Sequence, residues 1–232
     1  SIEGKLSTFL QPSGRSNGLC FDATGHLIAC ADGKNEMWSI DPQGKHQVLF
    51  QRYEDKLLNG PNDVWLRPDG GLYFSDPFYK RPYWERGPQE QSVMAVYYVP
   101  ADRNGLKRVI DDFVTPNGLI GTPDGETLYV TDIKAKQTWR YTIGVDGSLS
   151  EKSKFCDMGS DGMTIDAQGN VYLTGKGVTV FNSAGKQILQ IEVPEKWTAN
   201  ICFGGADNKL LFITASKGVY GLRMTVSGAG SQ

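Results

Sequence analysis

Short apolar runs of about four residues, each closed by a turn residue, recur along the chain with no sustained 3.6-residue periodicity. That pattern predicts many short strands and almost no helix. Five runs share one layout. Asn17-Gly18-Leu19 is followed by Gly25, Asn62-Asp63-Val64 by Gly70, Asn117-Gly118-Leu119 by Gly125, Asp161-Gly162-Met163 by Gly169, and Asn200-Ile201-Cys202 by Asn208. In each, a short polar residue opens a mostly apolar run and a turn residue stands eight positions later. The openers are 45, 55, 44 and 39 residues apart, which is the spacing of β-propeller blades rather than of a helical solenoid.

Each unit continues as a meander. Second strands are predicted at Leu27–Cys30, Leu72–Ser75, Leu128–Thr131, Val171–Thr174 and Leu210–Ile213, where β-branched and aromatic residues dominate. Third strands follow at Met37–Ile40, Ala95–Tyr98, Thr138–Tyr141, Val178–Phe181 and Val219–Leu222, with more polar fourth strands after most of them. Asp69-Gly70, Asp124-Gly125, Asn104-Gly105 and Asp146-Gly147 supply the turns between strands, because glycine accepts the positive φ of a tight hairpin. Four strands per unit of this length make a propeller blade. Residues 5–10 read as the outer strand of a preceding blade, which implies a sixth. The expected fold is therefore all-β, a six-bladed β-propeller of four-stranded antiparallel blades, with the inner part of the first blade absent from the chain. It is expected as one domain over residues 1–232: a partial first blade at 1–14, blades near 15–58, 59–113, 114–157, 158–196 and 197–224, and a tail at 225–232. An open ring exposes sheet edges and apolar blade faces, so further N-terminal chain, a partner or self-association is expected to fill the gap.

Composition narrows the function classes. The formal net charge of −2 carries no electrostatic footprint for nucleic acid or an anionic membrane. No apolar stretch approaches the roughly 20 residues of a membrane helix. The four cysteines form no C-x-x-C pair and are expected to be buried free thiols. His26 and His46 are the only histidines, which argues against a histidine-based metal site. No G-x-S-x-G is present, so serine hydrolase chemistry has no support. Ser1-Ile2-Glu3-Gly4-Lys5 is not a signal peptide. The expectation is a soluble protein, with the compartment open between cytoplasm and a periplasmic or secreted location with its N-terminus removed.

Asn59-Gly60-Pro61-Asn62-Asp63-Val64, running on to Asp69-Gly70-Gly71-Leu72-Tyr73-Phe74-Ser75-Asp76-Pro77, resembles a gluconolactonase signature. So do Thr115-Pro116-Asn117-Gly118-Leu119 and Ser160-Asp161-Gly162-Met163-Thr164-Ile165-Asp166. Together, in register and in order over roughly residues 5–224, they resemble the SMP-30/gluconolactonase/luciferin-regenerating enzyme family, with bacterial-type gluconolactonases the nearest match. The resemblance implies hydrolysis of a small sugar-type lactone and one divalent cation, calcium first, with magnesium, zinc or manganese as alternatives. It carries the metal ligands onto Asn117 and Asp161, the general base onto Asp161, and contact with bound water or substrate onto Asn62. The family's ligand Glu, normally in E-G-P, has only Glu3-Gly4-Lys5 as a counterpart. Glu3 is read as outer strand or linker, and the ligand Glu as not found in this chain.

The chemistry is consistent from the residues upward. A hard cation takes oxygen ligands, which Asn and Asp openers supply. Such a site polarises a lactone carbonyl and lowers the pKa of bound water, and a carboxylate at Asp161 can take the water's proton. Catalytic candidates are thus Asp161 and Asn62. Substrate-binding candidates are Asn62, Asn17 and, from the insertion at residues 77–92, Phe78, Tyr79 and Trp84, since an insertion on one face of a repeat array is often the binding loop. Asp63 is read either as catalytic or as a brace across blades, and Asp76 as facing the pocket or a second cation. Asn17 and Asn200 carry the plainer alternative of closing turns. Two other functions stay open: a promiscuous lactonase or organophosphate esterase using the same site, and a non-catalytic ligand-binding propeller. The expected partner is a small-molecule lactone, with no nucleic acid and no membrane.

Overall fold

The computed structural model describes residues 7–230. Five antiparallel sheets follow one another along the chain. The first holds β1 (Ser16–Phe21), β2 (Leu27–Ala31), β3 (Glu36–Ile40) and β4 (His46–Phe50). A short hairpin, β5 (Arg52–Tyr53) and β6 (Lys56–Leu57), leads to β7 (Val64–Leu66), β8 (Leu72–Asp76), β9 (Ala95–Val99) and β10 (Lys107–Ile110). The third blade is β11 (Pro116–Gly121), β12 (Thr127–Asp132), β13 (Gln137–Ile143) and β14 (Leu149–Cys156). The fourth is β15 (Met163–Ile165), β16 (Val171–Gly175), β17 (Gly177–Phe181) and β18 (Gln187–Ile191). The fifth is three-stranded, β19 (Thr198–Gly204), β20 (Leu210–Ala215) and β21 (Gly218–Arg223). The one helical turn among the described residues is the 3-10 segment Asp32–Lys34.

The eight-residue offset now has its cause. Gly25, Gly70, Gly125 and Gly169 all take φ between +75° and +90° in the turn joining a blade's first and second strands. Asn208 fills the same position in the fifth blade at φ +53°, since Asn is among the few side-chain-bearing residues that tolerate the left-handed region.

The inner strands β1, β7, β11, β15 and β19 neighbour one another in chain order, and the core lies between blades. Trp65 and Tyr73 of the second blade, Leu119, Leu128 and Val130 of the third, and Met163, Ile165 and Leu173 of the fourth form one buried cluster. Smaller clusters join the first blade to the second and the fourth to the fifth. Burying such side chains contributes about 1.5–3 kcal/mol each, so the three middle blades hold most of the packing energy.

Two expectations are corrected. Among the described residues the propeller has five blades, not six; residues 5 and 6 of the expected outer strand lie outside them. Residues 7–10 form no strand; instead Leu10 packs on Ala29, Ala31, Trp38 and Ile40 of the first blade. Gly14 lies so close to Trp38 that a Cβ there would sit 2.4 Å from the indole. The segment satisfies its apolar residues on an existing face, where a strand would need a sheet edge to pair with. The C-terminal segment is also more than a tail: Ala167 N–H donates to the Ser227 carbonyl (2.9 Å), Ala229 N–H to Ile165 (3.1 Å) and Gly228 N–H to Asn208 (2.8 Å). It thereby pairs with the end of β15.

All four cysteines are free, but only Cys30 and Cys156 are buried; Cys20 is half-buried and Cys202 exposed. Cys20 and Cys202 line an apolar-walled cavity of about 970 Å³ together with Leu19, Phe21, Phe212 and Asn200 of the first and fifth blades. The expected burial fails at Cys202 because this wall has no blade packed against it.

Candidate active site

The polar residues that open the inner strands are held by the backbone around them. Asn62 is buried; its N–H donates to the Ser75 carbonyl (2.9 Å) and its carbonyl accepts from Gly18 N–H (2.7 Å), leaving the side-chain amide as the part that can face a ligand. Asn117 is 1% exposed. Its Nδ2 donates to the Tyr79 hydroxyl (2.5 Å), while its Oδ1 is buried and has no hydrogen-bond partner. Asp161 Oδ2 accepts the Trp197 indole N–H (2.9 Å). Burial pushes the Asp161 carboxyl above the ordinary carboxylate range, and hydrogen bonds from Trp197 and Asn117 and the charge of Arg81 pull it back.

Asp76 and Asp132 end the second strands of the second and third blades, Asp32 directly follows that of the first, and the three diverge. Asp76 accepts Asn59 N–H (2.8 Å) and Gly60 N–H (2.7 Å), and Asp132 accepts Val114 N–H (2.7 Å) and Thr115 N–H (3.0 Å). Each therefore fixes the chain just before its blade's opener. Both Asp76 oxygens are thus engaged by backbone N–H groups. Asp32 instead accepts the Tyr83 hydroxyl (2.9 Å) and lies 3.7 Å from the Arg81 guanidinium, with its Oδ1 buried and unpartnered.

The 77–92 insertion thus spans from Asp32 to Asn117. Tyr79 touches Asn117, and burial holds its hydroxyl up to about 12, so it stays protonated at neutral pH. Arg81 lies over the Tyr79 ring (4.7 Å). Phe78 and Trp84 pack on each other (5.3 Å) with Arg86 over both, and Arg86 bonds the carbonyls of Leu58 and Asn59.

Both Asp63 oxygens are bound to backbone across two blades. Its Oδ1 accepts Val64 N–H (3.0 Å) and its Oδ2 reaches across to Leu119 N–H of the next blade (3.0 Å). Burial raises its carboxyl to about 7. Asn17 is exposed and lines the large cavity, as does Asn200, whose Oδ1 accepts its neighbour's N–H from Ile201 (2.7 Å). None of Asn62, Asn117 and Asp161 lines that cavity. It is lined by residues of all five blades, and the convergent polar chemistry lies elsewhere.

A hard divalent cation fits part of this donor set. Asn117 Oδ1 is an orphaned buried carbonyl oxygen beside the Asp161 side chain, and a buried acceptor without a partner is costly unless something binds it. Among the described residues no cluster of three or more His, Cys, Asp or Glu side chains is assembled. Glu3 lies outside the described residues. Sequence reasoning missed Trp197, Arg81 and Asp32. The signal for Trp197 was a bulky aromatic in the polar run Pro194-Glu195-Lys196-Trp197, just before the fifth opener. Asp32 was visible as the third Asp at or just past the end of a second strand.

The SMP-30/Gluconolactonase/LRE-like region matches residues 2–217. A gluconolactonase of Zymomonas mobilis is 28% identical over 96% of this chain and 70% of its own length. The chain spans about half the length of several other curated relatives that it matches. Among solved structures, the gluconolactonase XC5397 of Xanthomonas campestris superposes with a TM-score of 0.87 at 30% identity, over 94% of this chain and 74% of that one. Regucalcin from Agrobacterium tumefaciens, a calcium-binding protein, shares the fold at a TM-score of 0.64 and 20% identity, over 93% of this chain and 91% of that one. With the family's region covering nearly the whole chain and its openers in register, the chain belongs to the SMP-30/gluconolactonase/LRE-like family.

Proposed function

We propose that the protein hydrolyses a small sugar-type lactone to its hydroxy acid, with Asp161 as general base. The observation that carries the reading is the pairing of a raised, partly buried carboxyl at Asp161 with the orphaned Asn117 Oδ1 beside it. Gluconolactonase and lactonase relatives support the reaction class.

Asn117 and Asp161 would hold one divalent cation, calcium first. Such an ion supplies carbonyl polarisation and a more acidic bound water. The chain's own residues do the rest. Trp197 Nε1–H holds Asp161 Oδ2 in place, and the carboxylate takes a proton from water as the water oxygen attacks the lactone carbonyl carbon. The ring C–O bond then breaks, and the same proton passes to the alkoxide oxygen that leaves, giving a hydroxyl and a carboxylic acid, which loses its proton to solvent. Asn62 presents an amide to the substrate. The Tyr79 hydroxyl, whose oxygen already accepts from Asn117, keeps its own proton to donate to a substrate oxygen.

The test is gluconolactone hydrolysis after EDTA treatment, with and without added calcium, beside Asp161→Asn. The expected outcome is activity restored by calcium and lost in the variant. Folded protein inert with every metal and lactone tried would sink the reading.

A further inference from the structure

Among the aromatic rings around the mouth, one has its faces free. Phe78 and Trp84 cover each other, Arg86 lies 3.3 Å from the Trp84 ring centre, Arg81 covers Tyr79 and Arg15 covers Tyr83 (4.6 Å). Trp197 has neither a ring nor a cation stacked on it among the described residues, and it is 43% exposed. An exposed indole on a mobile loop would mean little, but this one is anchored at both ends. Its N–H donates to Asp161 Oδ2 across 36 residues of chain, tying the fifth blade's entry to the fourth blade's opener. Its carbonyl accepts the Ser216 hydroxyl (3.2 Å), and the next residue, Thr198, is fully buried and pairs with Ala215. On the preceding side, Glu195 accepts the Tyr220 hydroxyl (3.2 Å).

We propose that Trp197 is the ring platform of this site: its edge orients the Asp161 carboxylate while its open face takes the C–H face of the lactone ring. The proposal rests on the lactonase reading for its substrate class. An indole face is electron-rich and its edge electron-poor, so the two roles use different parts of one side chain. The weakly positive C–H bonds of a pyranose or furanose ring suit the face, and the carboxylate suits the N–H. A side chain committed at its edge is also pre-ordered, which lowers the entropy cost of binding. The ligand class is therefore a compact, saturated, polyhydroxylated ring with one apolar face.

Two substitutions separate the roles. Trp197→Phe keeps a flat face and loses the N–H; it should lower kcat about tenfold or more, in the range seen when a supporting contact to a catalytic group is lost, with KM within about threefold. Trp197→Gln keeps an amide donor and loses the face; it should raise KM about tenfold with kcat less affected. A reading independent of turnover is indole fluorescence during titration with a 1,5-anhydro sugar, a ring analogue with no lactone to hydrolyse. The wild type should show a saturable change that Trp197→Phe lacks, at matched melting temperatures. Kinetic constants within twofold of wild type in both variants, or a fluorescence response that survives Trp197→Phe, overturn the proposal. A response in a wild type that hydrolyses no lactone would uphold the platform and reject the reaction.

Discussion

Asn17-Gly18-Leu19 and Asn117-Gly118-Leu119 are the same tripeptide at the same place in two blades, and they end in opposite environments. Leu119 is 1% exposed and Leu19 is 51% exposed. Asn117 is buried and Asn17 is exposed. The glycines, by contrast, behave alike. A Cβ on Gly18 would lie 2.6 Å from Asp63 Cα, and one on Gly118 2.7 Å from the Asp161 carbonyl oxygen. Both are glycines because the next blade's opener passes that close. The difference lies on the other side. Leu119 has the second blade behind it, with Asp63 accepting its N–H and Trp65 in the same apolar cluster. Leu19 keeps half its surface open on the large cavity, which Leu119 only touches. The tripeptide therefore encodes the strand and its contact with the following blade, whereas burial and chemistry are conferred by the blade before.

The largest expected contrast is in stability. Leu119→Ala should cost about 2–5 kcal/mol, the usual range for a fully buried leucine, and Leu19→Ala less than about 0.5 kcal/mol. Urea melts of the two variants decide it. Equal losses would mean that the first blade's open face is covered in solution. The asparagines make the same contrast in activity. Asn117→Ala should reduce kcat/KM about a hundredfold, the scale of losing one preorganised polar group at a reacting centre, while Asn17→Ala should cost less than tenfold. A large loss at Asn17 would bring the cavity into the catalytic site.

The repeat itself was legible because it is local: apolar runs, turn residues and an eight-residue offset are properties of neighbouring positions. Asn117 and Asp161 could be marked from the same register. What the sequence did not show is how a repeat departs from itself. Asp76 and Asp132 grip the backbone before their openers, yet Asp32 turns to Tyr83 and Arg81, because the 77–92 insertion offers it a different partner. Trp197 carried no motif, since its role depends on a contact 36 residues away. The sixth blade was inferred from an outer-strand-like segment at residues 5–10, and Leu10 found its apolar neighbours on the first blade instead.

Asp63 sets a smaller contrast, because it joins blades two and three and no equivalent carboxylate reaches Leu19 among the described residues. Asp63→Ala leaves the Leu119 N–H without its partner and should cost about 1–3 kcal/mol. Burial raises the Asp63 and Asp76 carboxyls to about 7, so between their unfolded values and 7 the folded state holds more protons than the unfolded one. Their contribution is full below about pH 4 and is lost as pH rises through 7. Asp22 and Asp124, held below the ordinary range by hydrogen bonds from neighbouring residues, act only at lower pH. Melting temperature should therefore fall from pH 4.5 to 7.5 in the wild type, and less steeply in Asp63→Asn. A slope unchanged by the substitution would remove Asp63 from this account.

The smallest effect on stability tests the exposed side of the comparison most directly. Leu19 and Phe21, at 51% and 57% exposure, line the large cavity together with Phe212 and Cys202 of the fifth blade. Exchanging each for Ser removes little buried area, so each change should move the folding free energy by less than about 0.5 kcal/mol. The same exchange removes apolar surface of the kind that drives association. Sedimentation velocity of the 232-residue chain across a concentration series should then show less self-association for Leu19→Ser/Phe21→Ser than for the wild type. If instead the double variant loses several kcal/mol, these residues are packed in solution, and the exposed first blade resembles the buried third after all.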